Sequence, residues 1–290
     1  MTDIGFDLWH DTEPEDLTLD QKIQQAHWIV NMALHTHVTM AEKLLVGSVL
    51  LFSGGNDSNV LAHLMRGHIT HFGHANTGIG IEQTRQHVRD VARSWDIPLL
   101  EFPGDSYREL VLERGFPGPG QHFKMYQRLK ERALRKIRRE LVTHSRKERV
   151  LFIAGRRRAE SSRRESREIP EFEVEGSVVW VSPLVHWTSA DMRAYRERFP
   201  DTPTNEVSAM IHMSGECLCG AFAAKGELDE IGFFFPEVRS EIEVLEAEVE
   251  AAGIPEPRCR WGWGAYRDTP GVHQSGRMCS SCDARQGGES

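Results

Sequence analysis

The chain has 290 residues, with 35 Lys plus Arg against 43 Asp plus Glu, a formal charge of −8, and 39% apolar residues. This length suits one large domain or two of about 150 residues, and the composition excludes collagen-like, low-complexity and wholly disordered chains. No apolar run approaches the roughly 20 residues of a spanning helix, and the acidic N-terminus lacks a basic stretch leading into an apolar one, so the expected location is the cytoplasm, away from any membrane.

In chain order, Leu19 to Met40 carries Ile23, Ala26, Ile29, Val30, Ala33, Leu34 and Val38 at helical spacing, which predicts a helix capped by Asp20 within an N-terminal segment 1–45. Val46 to Phe52 is a continuous apolar run of the kind buried on both faces of a parallel sheet. A Gly-containing turn and a helix at 59–65 follow. The alternation continues with a strand at 69–75, a helix at 81–95, a strand at 97–102, a Pro/Gly-rich loop near 116–120 and a long basic helix from about His122 to Leu141. Strands are then expected at 149–155 and 178–184, and a helix capped by Ser189 runs to Phe199. This alternation predicts an α/β fold over 46–200: an open, mostly parallel sheet with helices on both faces and ligands at the carboxyl ends of the strands. From about Thr202 the pattern stops, and 201–290 reads as a cysteine-rich appendage with one acidic helix at about 236–252.

The net charge hides an asymmetry. Between Lys124 and Arg167 stand 17 basic and five acidic side chains, a balance of +12, against 18 basic and 38 acidic in the rest. Such a segment is either a solvated helix face or the electrostatic footprint of a nucleic acid, and a small phosphorylated nucleotide would also be drawn to it. All five cysteines come late: Cys217, Cys219, Cys259, Cys279 and Cys282. In a reducing compartment, close pairs point to a metal or redox site before a disulfide framework. Cys217, Cys219, Cys279 and Cys282 would supply the four thiolates of a [4Fe–4S] cluster or a zinc site, and the spacing does not choose between them. Cys259 has no assigned role.

Ser53-Gly54-Gly55-Asn56-Asp57-Ser58 follows the first strand and opens a helix. Two glycines let backbone amides approach an anion, and the helix N-terminus adds donors and partial positive charge, so the loop suits a phosphate or pyrophosphate. It resembles the SGGxDS signature of the PP-loop ATP pyrophosphatase superfamily. Further segments narrow the likeness. His74 to Val88 is similar to the Thr-Gly segment after the second strand of the phosphoadenosine phosphosulfate (PAPS) reductase family. Gly155, Arg157, Glu160, Ser161 and Arg164 match its GxRxxESxxR loop, Trp187 and Asp191 its following segment, and Ser214 to Gly220 the cysteine motif of its iron–sulfur members, DNA phosphorothioation enzymes among them.

The resemblance implies that Ser53, Gly54, Gly55, Asn56, Asp57 and Ser58, with Thr77, Gly78, Gly155, Arg157 and Glu160, hold the adenine nucleotide, ATP. It also implies that Asp57 helps hold Mg2+, and that Asp57, Arg157 and Arg164 are the catalytic set, the arginines clamping phosphate or sulfate oxygens. The loop has Asn56 where this branch commonly has Lys, and the chain lacks the nucleophilic cysteine motif of sulfonucleotide reductases. The implied activity is therefore adenylylation with release of pyrophosphate and transfer of sulfur, as a sulfurtransferase, to nucleic acid (tRNA thiolation or DNA phosphorothioation), drawing on a sulfur donor such as a cysteine desulfurase. A reductase or sulfurylase acting on a small nucleotide, and a non-catalytic nucleotide-binding subunit, are the alternatives. A homodimer is compatible with the sequence.

Overall fold

In the computed structural model, which describes residues 16–160 and 169–266, six strands form one sheet. They are β1 (Leu44–Leu51), β2 (His71–Asn76), β3 (Leu99–Pro103), β4 (Glu148–Ile153), β5 (Phe172–Glu175) and β6 (Val178–Val181), in the order β3-β2-β1-β4-β6-β5. Every pairing is parallel except β5 with β6. The α/β sheet read from the sequence is therefore present, with one antiparallel edge strand added. β5 was not legible because its four residues are all half-buried or exposed and leave no apolar run.

Alternate residues of the central strands serve opposite faces, as the two-residue period of a strand requires. Leu50, Leu151 and Ile153 face one layer, with α1 (Leu19–Leu34), α2 (Asn56–Met65), α3 (Glu82–Ser94) and α7 (Ser189–Arg198) packed over it. Val49, Val150 and Phe152 face the other, covered by Leu134 and Ile137 of α6 (Arg132–Leu141). α4 (Tyr107–Arg114) and α5 (His122–Tyr126) lie between β3 and α6 in the chain. The strand order reverses between β1 and β4, so the loops leaving their carboxyl ends diverge and open a crevice, where open α/β sheets bind ligands.

Helix ends differ in detail from expectation. α1 is capped by Thr18, which forms a reciprocal capping box with Gln21, while Asp20 sits inside the first turn. α7 is capped by Thr188, one residue before Ser189, with Asp191 closing the box. The same Asp191 accepts from the buried Lys22 at 2.5 Å, tying the N-terminal helix to the sheet layer. The basic helix is interrupted: α5 and α6 are joined by a π-helical turn over Gln127–Glu131.

Past residue 200 come α8 (Glu206–Ile211), α9 (Glu227–Phe234) and α10 (Pro236–Ala251). The acidic helix read from the sequence is α10, and α9 precedes it. Their core contains Val207, Leu218, Ile231, Ile242, Trp261 and Trp263 together with Tyr107, Val111, Phe116, Met125 and Leu129. A single apolar cluster thus crosses the division drawn at residue 200, with the 201–266 segment packed on residues of α4, α5 and the turn after α5.

Candidate active site

The loop after β1 is held from behind. Gly54 has φ +73°, in the region that disfavours a side chain, and a Cβ there would press on Thr84. Its carbonyl accepts from Asn59 Nδ2 at 3.2 Å and Asn205 Nδ2 at 3.0 Å. Arg196 of α7 donates to the Asn56 carbonyl at 2.9 Å. Ser58 Oγ donates to the Gly55 carbonyl at 2.9 Å and lies 3.2 Å from Ser53 Oγ. With the carbonyls thus engaged, α2 starts at Asn56, and its cap residue Gly55 makes no side-chain cap bond. Gly55, Asn56, Asp57 and Ser58 line a cavity of about 560 Å³. A helix start of this kind offers amides and partial positive charge to an anion.

Asp57 and Arg157 meet, but Arg157 does not face the cavity. The Arg157 side chain is fully buried; its Nε donates to Asp57 Oδ2 at 2.8 Å and its Nη1 to the Trp187 carbonyl at 3.4 Å. Asp57 Oδ1 and Arg157 Nη2 are buried without partners. The guanidinium therefore fixes the loop carboxylate from beneath, whereas the sequence suggested a clamp on phosphate oxygens. Gly155, at the end of β4, lines the cavity, and a Cβ there would lie 3.5 Å from the Asp57 backbone. Glu160 ends a short 3₁₀ turn, Arg158–Glu160. Ser161 and Arg164 lie outside the described residues. Trp187 is 1% exposed and packs edge-on against Tyr195, a core position and not a stacking surface for substrate.

The Thr77-Gly78 segment performs a different task from the one the resemblance implied. Thr77 is buried and donates to the Glu216 carbonyl at 2.8 Å, while Thr84 donates to the Ser214 carbonyl at 2.6 Å. Ile81 N–H bonds Gly215 O and Leu218 N–H bonds Ile79 O, so the two stretches run side by side. The approach is close enough that a Cβ on Gly80 would sit 2.3 Å from Glu216 O. This pairing draws the cysteine segment across the mouth of the phosphate loop. Gly78 itself borders a separate 350 Å³ hollow with Tyr107 and Glu237.

Cys217 and Cys219 therefore line the same 560 Å³ cavity as the phosphate loop. Both are free thiols. Hydrogen bonding between them splits their acidities, raising Cys217 well above the usual thiol value and lowering Cys219. Tyr107 donates to the Cys219 carbonyl at 2.9 Å, and burial pushes its phenol up. The cavity also holds a charge pair that the sequence did not announce, Lys130 Nζ to Glu216 Oε2 at 2.6 Å. Burial alone would lower the Lys130 ammonium, but the Glu216 carboxylate outweighs it and holds Lys130 above its ordinary value. Glu216 is 4% exposed, and its second oxygen has no partner. Lys130 lies in the π-turn; one extra residue per turn rotates the helix face there, which no pattern of apolar residues reports.

As to metal, the two cavity thiols are soft ligands that suit iron–sulfur or zinc chemistry and supply half of a four-thiolate set. Cys279 and Cys282 lie outside the described residues, Cys259 is buried at 1% exposure, and among the described residues no three His, Cys, Asp or Glu side chains group as a metal site.

Much of the basic segment is internally paired. Arg128 and Arg132 bind Asp105, Arg135 binds Glu131, Lys136 donates to the Pro103 carbonyl and Arg138 to Ser177. Lys124, Arg139, Arg146 and Lys147 are exposed. Among the described residues no helix is long and apolar enough to cross a membrane.

Residues 47–206, more than half of the chain, match the phosphoadenosine phosphosulfate reductase domain. An uncharacterized protein of Methanocaldococcus jannaschii is 26% identical over 232 residues, which cover 77% of this chain and 47% of that protein. The chain thus spans about half the length of this relative. Among solved structures, a phosphoadenylyl-sulfate reductase from Candida auris in complex with phosphate is similar at 18% identity and a TM-score of 0.42, over 67% of this chain and 92% of that one. The U34-tRNA thiolase NcsA of Methanococcus maripaludis, solved with its [4Fe-4S] cluster, is similar at 14% identity and a TM-score of 0.42, over 83% and 82%.

Proposed function

The chain belongs to the phosphoadenosine phosphosulfate reductase family, and from that premise we propose that it activates a substrate with ATP and supports the transfer of sulfur to it, the substrate being a nucleic acid. One observation carries the reading: the phosphate loop at 53–58 and the thiols of Cys217 and Cys219, some 160 residues apart in the chain, line a single cavity. Its volume falls within the range of small-molecule sites, roughly 300–1,000 Å³.

In this reading the triphosphate lies against the first turn of α2, with Ser53 and Ser58 beside it. An oxygen of the substrate attacks the α-phosphorus and pyrophosphate departs. Sulfur at the hydrosulfide level then displaces the activated oxygen, which leaves as part of AMP. Asp57, held by Arg157, would take Mg2+ through its second oxygen, since magnesium binds through one or two carboxylates and substrate phosphates. Positioning and charge neutralisation supply the catalysis. Cys217 and Cys219 would hold part of a [4Fe–4S] cluster, or of zinc; the bound cluster supplies soft-metal chemistry for handling sulfur. A sulfur donor such as a cysteine desulfurase completes the set of partners.

The test is anaerobic purification with iron, zinc and acid-labile sulfide analysis, together with ATP-dependent pyrophosphate release in the presence of RNA or DNA. The expected result is pyrophosphate release that falls at least 100-fold in Asp57→Ala. Equal release from wild type and variant, or none from either, sinks the proposal. Turnover of adenylyl sulfate with a thioredoxin would replace it with the small-nucleotide alternative.

A further inference from the structure

Resting on the ATP reading above, we propose that Arg156 is the cation that meets the triphosphate, in place of the lysine that the phosphate loop lacks at Asn56. Loop 53–58 has no basic side chain, and the charge of its Asp57 is matched from beneath by the buried Arg157. The first turn of α2 offers only about half an elementary charge. A triphosphate carries more negative charge than that turn and one Mg2+ offset, so a further cation is needed at the cavity wall.

Among the described residues lining the cavity, the basic side chains are His122, Lys130 and Arg156. The His122 ring packs on Phe222 at 4.5 Å between centroids, and Lys130 is committed to Glu216. Arg156 is placed differently. It stands just past the end of β4, directly after Gly155, where a Cβ would lie 3.5 Å from the Asp57 backbone, so its main chain runs beside the first turn of α2. Its guanidinium is fixed along one edge: Nε donates to Ser182 Oγ at 2.9 Å, Nη1 donates to Glu173 Oε1 at 3.0 Å, and Cζ lies 5.6 Å from the Trp180 ring centroid. Nη2 is buried and has no partner. A buried donor without an acceptor is costly to keep, and an anion in the cavity would satisfy it. A planar guanidinium already held by two partners also loses little freedom when its remaining nitrogen binds an oxyanion. The family motif passes over this position, since it marks Gly155 and Arg157 on either side, and Arg157 is spent on Asp57.

The experiment is calorimetric titration of the full chain with a non-hydrolysable ATP analogue and Mg2+, beside thermal unfolding of each variant. Arg156→Met should weaken binding of the analogue at least about tenfold, the scale of a hydrogen bond to a charged group. Adding Asn56→Lys to Arg156→Met should restore most of the lost affinity, because it returns a cation to the phosphates from the loop side. A merely structural arginine would show no such rescue. Glu173→Gln removes the carboxylate that competes for the guanidinium, and it should bind the analogue at least as tightly as wild type; an arginine that only ties β5 to the end of β4 predicts the opposite. Binding by Arg156→Met equal to wild type, no recovery with Asn56→Lys, or a loss in Glu173→Gln as large as that in Arg156→Met would overturn the inference and leave the ATP reading standing. Absence of analogue binding by the wild type would instead overturn the ATP reading beneath it.

Discussion

Arg157 Nε donates to Asp57 Oδ2 at 2.8 Å across 100 residues of sequence, with the guanidinium wholly buried. The two residues that most resemble catalytic groups thus act as one unit, in which the arginine aims the carboxylate. Arg157→Ala and Asp57→Ala should each lower pyrophosphate release by similar factors, and the double variant should lose little more than either. Removing one partner of a buried pair also costs about 3–5 kcal/mol of stability, because a buried charge is left alone. A double-mutant cycle read by urea unfolding and by pyrophosphate release checks both statements; additive losses would refute the coupling.

Lys130→Met leaves Glu216 buried beside the cavity thiols without its counter-ion. Lys130 is about one-third exposed, so the loss is expected to be modest, about 1–3 kcal/mol. Lys130→Met combined with Glu216→Gln should recover most of it, since the pair is then replaced by two neutral groups. Thermal unfolding of the three variants is the measurement.

Gly80→Ala drives a methyl against the Glu216 carbonyl, 2.3 Å from where the Cβ would lie. The two stretches that bring the cysteine motif to the phosphate loop would have to separate, at a cost of about 1–3 kcal/mol. Weaker nucleotide binding should accompany it, read by titration with a non-hydrolysable ATP analogue. Gly67→Ala, where nothing lies within 4 Å, should leave both quantities unchanged.

His27 Nδ1 and His68 Nε2 lie 2.9 Å apart, joining α1 to the turn after α2. Burial lowers both imidazoles below the ordinary 6.5, and for His27 the neighbouring His68 adds to the effect. The unfolded chain therefore binds more protons than the folded one as pH falls through 6.5, so stability present at neutral pH is lost on acidification. Burial lowers His71 and His87 in the same sense. Urea midpoints should fall between pH 7.5 and 5.5, and His68→Gln should flatten, without abolishing, that slope. An unchanged slope in the variant would exclude the pair as a contributor.

The strand–loop–helix at 46–65 was readable because each of its signals is local: an apolar run, two glycines, a helix start. That β1, β2, β3, β4 and β6 are strands of one mostly parallel sheet followed from the same local patterns, whereas their order in the sheet did not. The division of labour among the functional residues did not, because it depends on contacts far apart in sequence. Arg157 reads as a clamp on phosphate oxygens until its guanidinium is found buried on Asp57 and the Trp187 carbonyl. Thr77 reads as a nucleotide contact until its hydroxyl is found on the Glu216 carbonyl. Lys130 reads as one charge among many on a basic helix until the π-turn rotates it into the cavity. The sequence by itself determined that this chain builds a glycine-containing strand–loop–helix on a parallel sheet and carries a C-x-C pair, since short-range sterics and backbone hydrogen bonding dictate such features. Only the tertiary structure decided that loop and thiols share one cavity, because that rests on the pairing of 78–81 with 214–218, a long-range fit that Gly80 permits and no local pattern encodes.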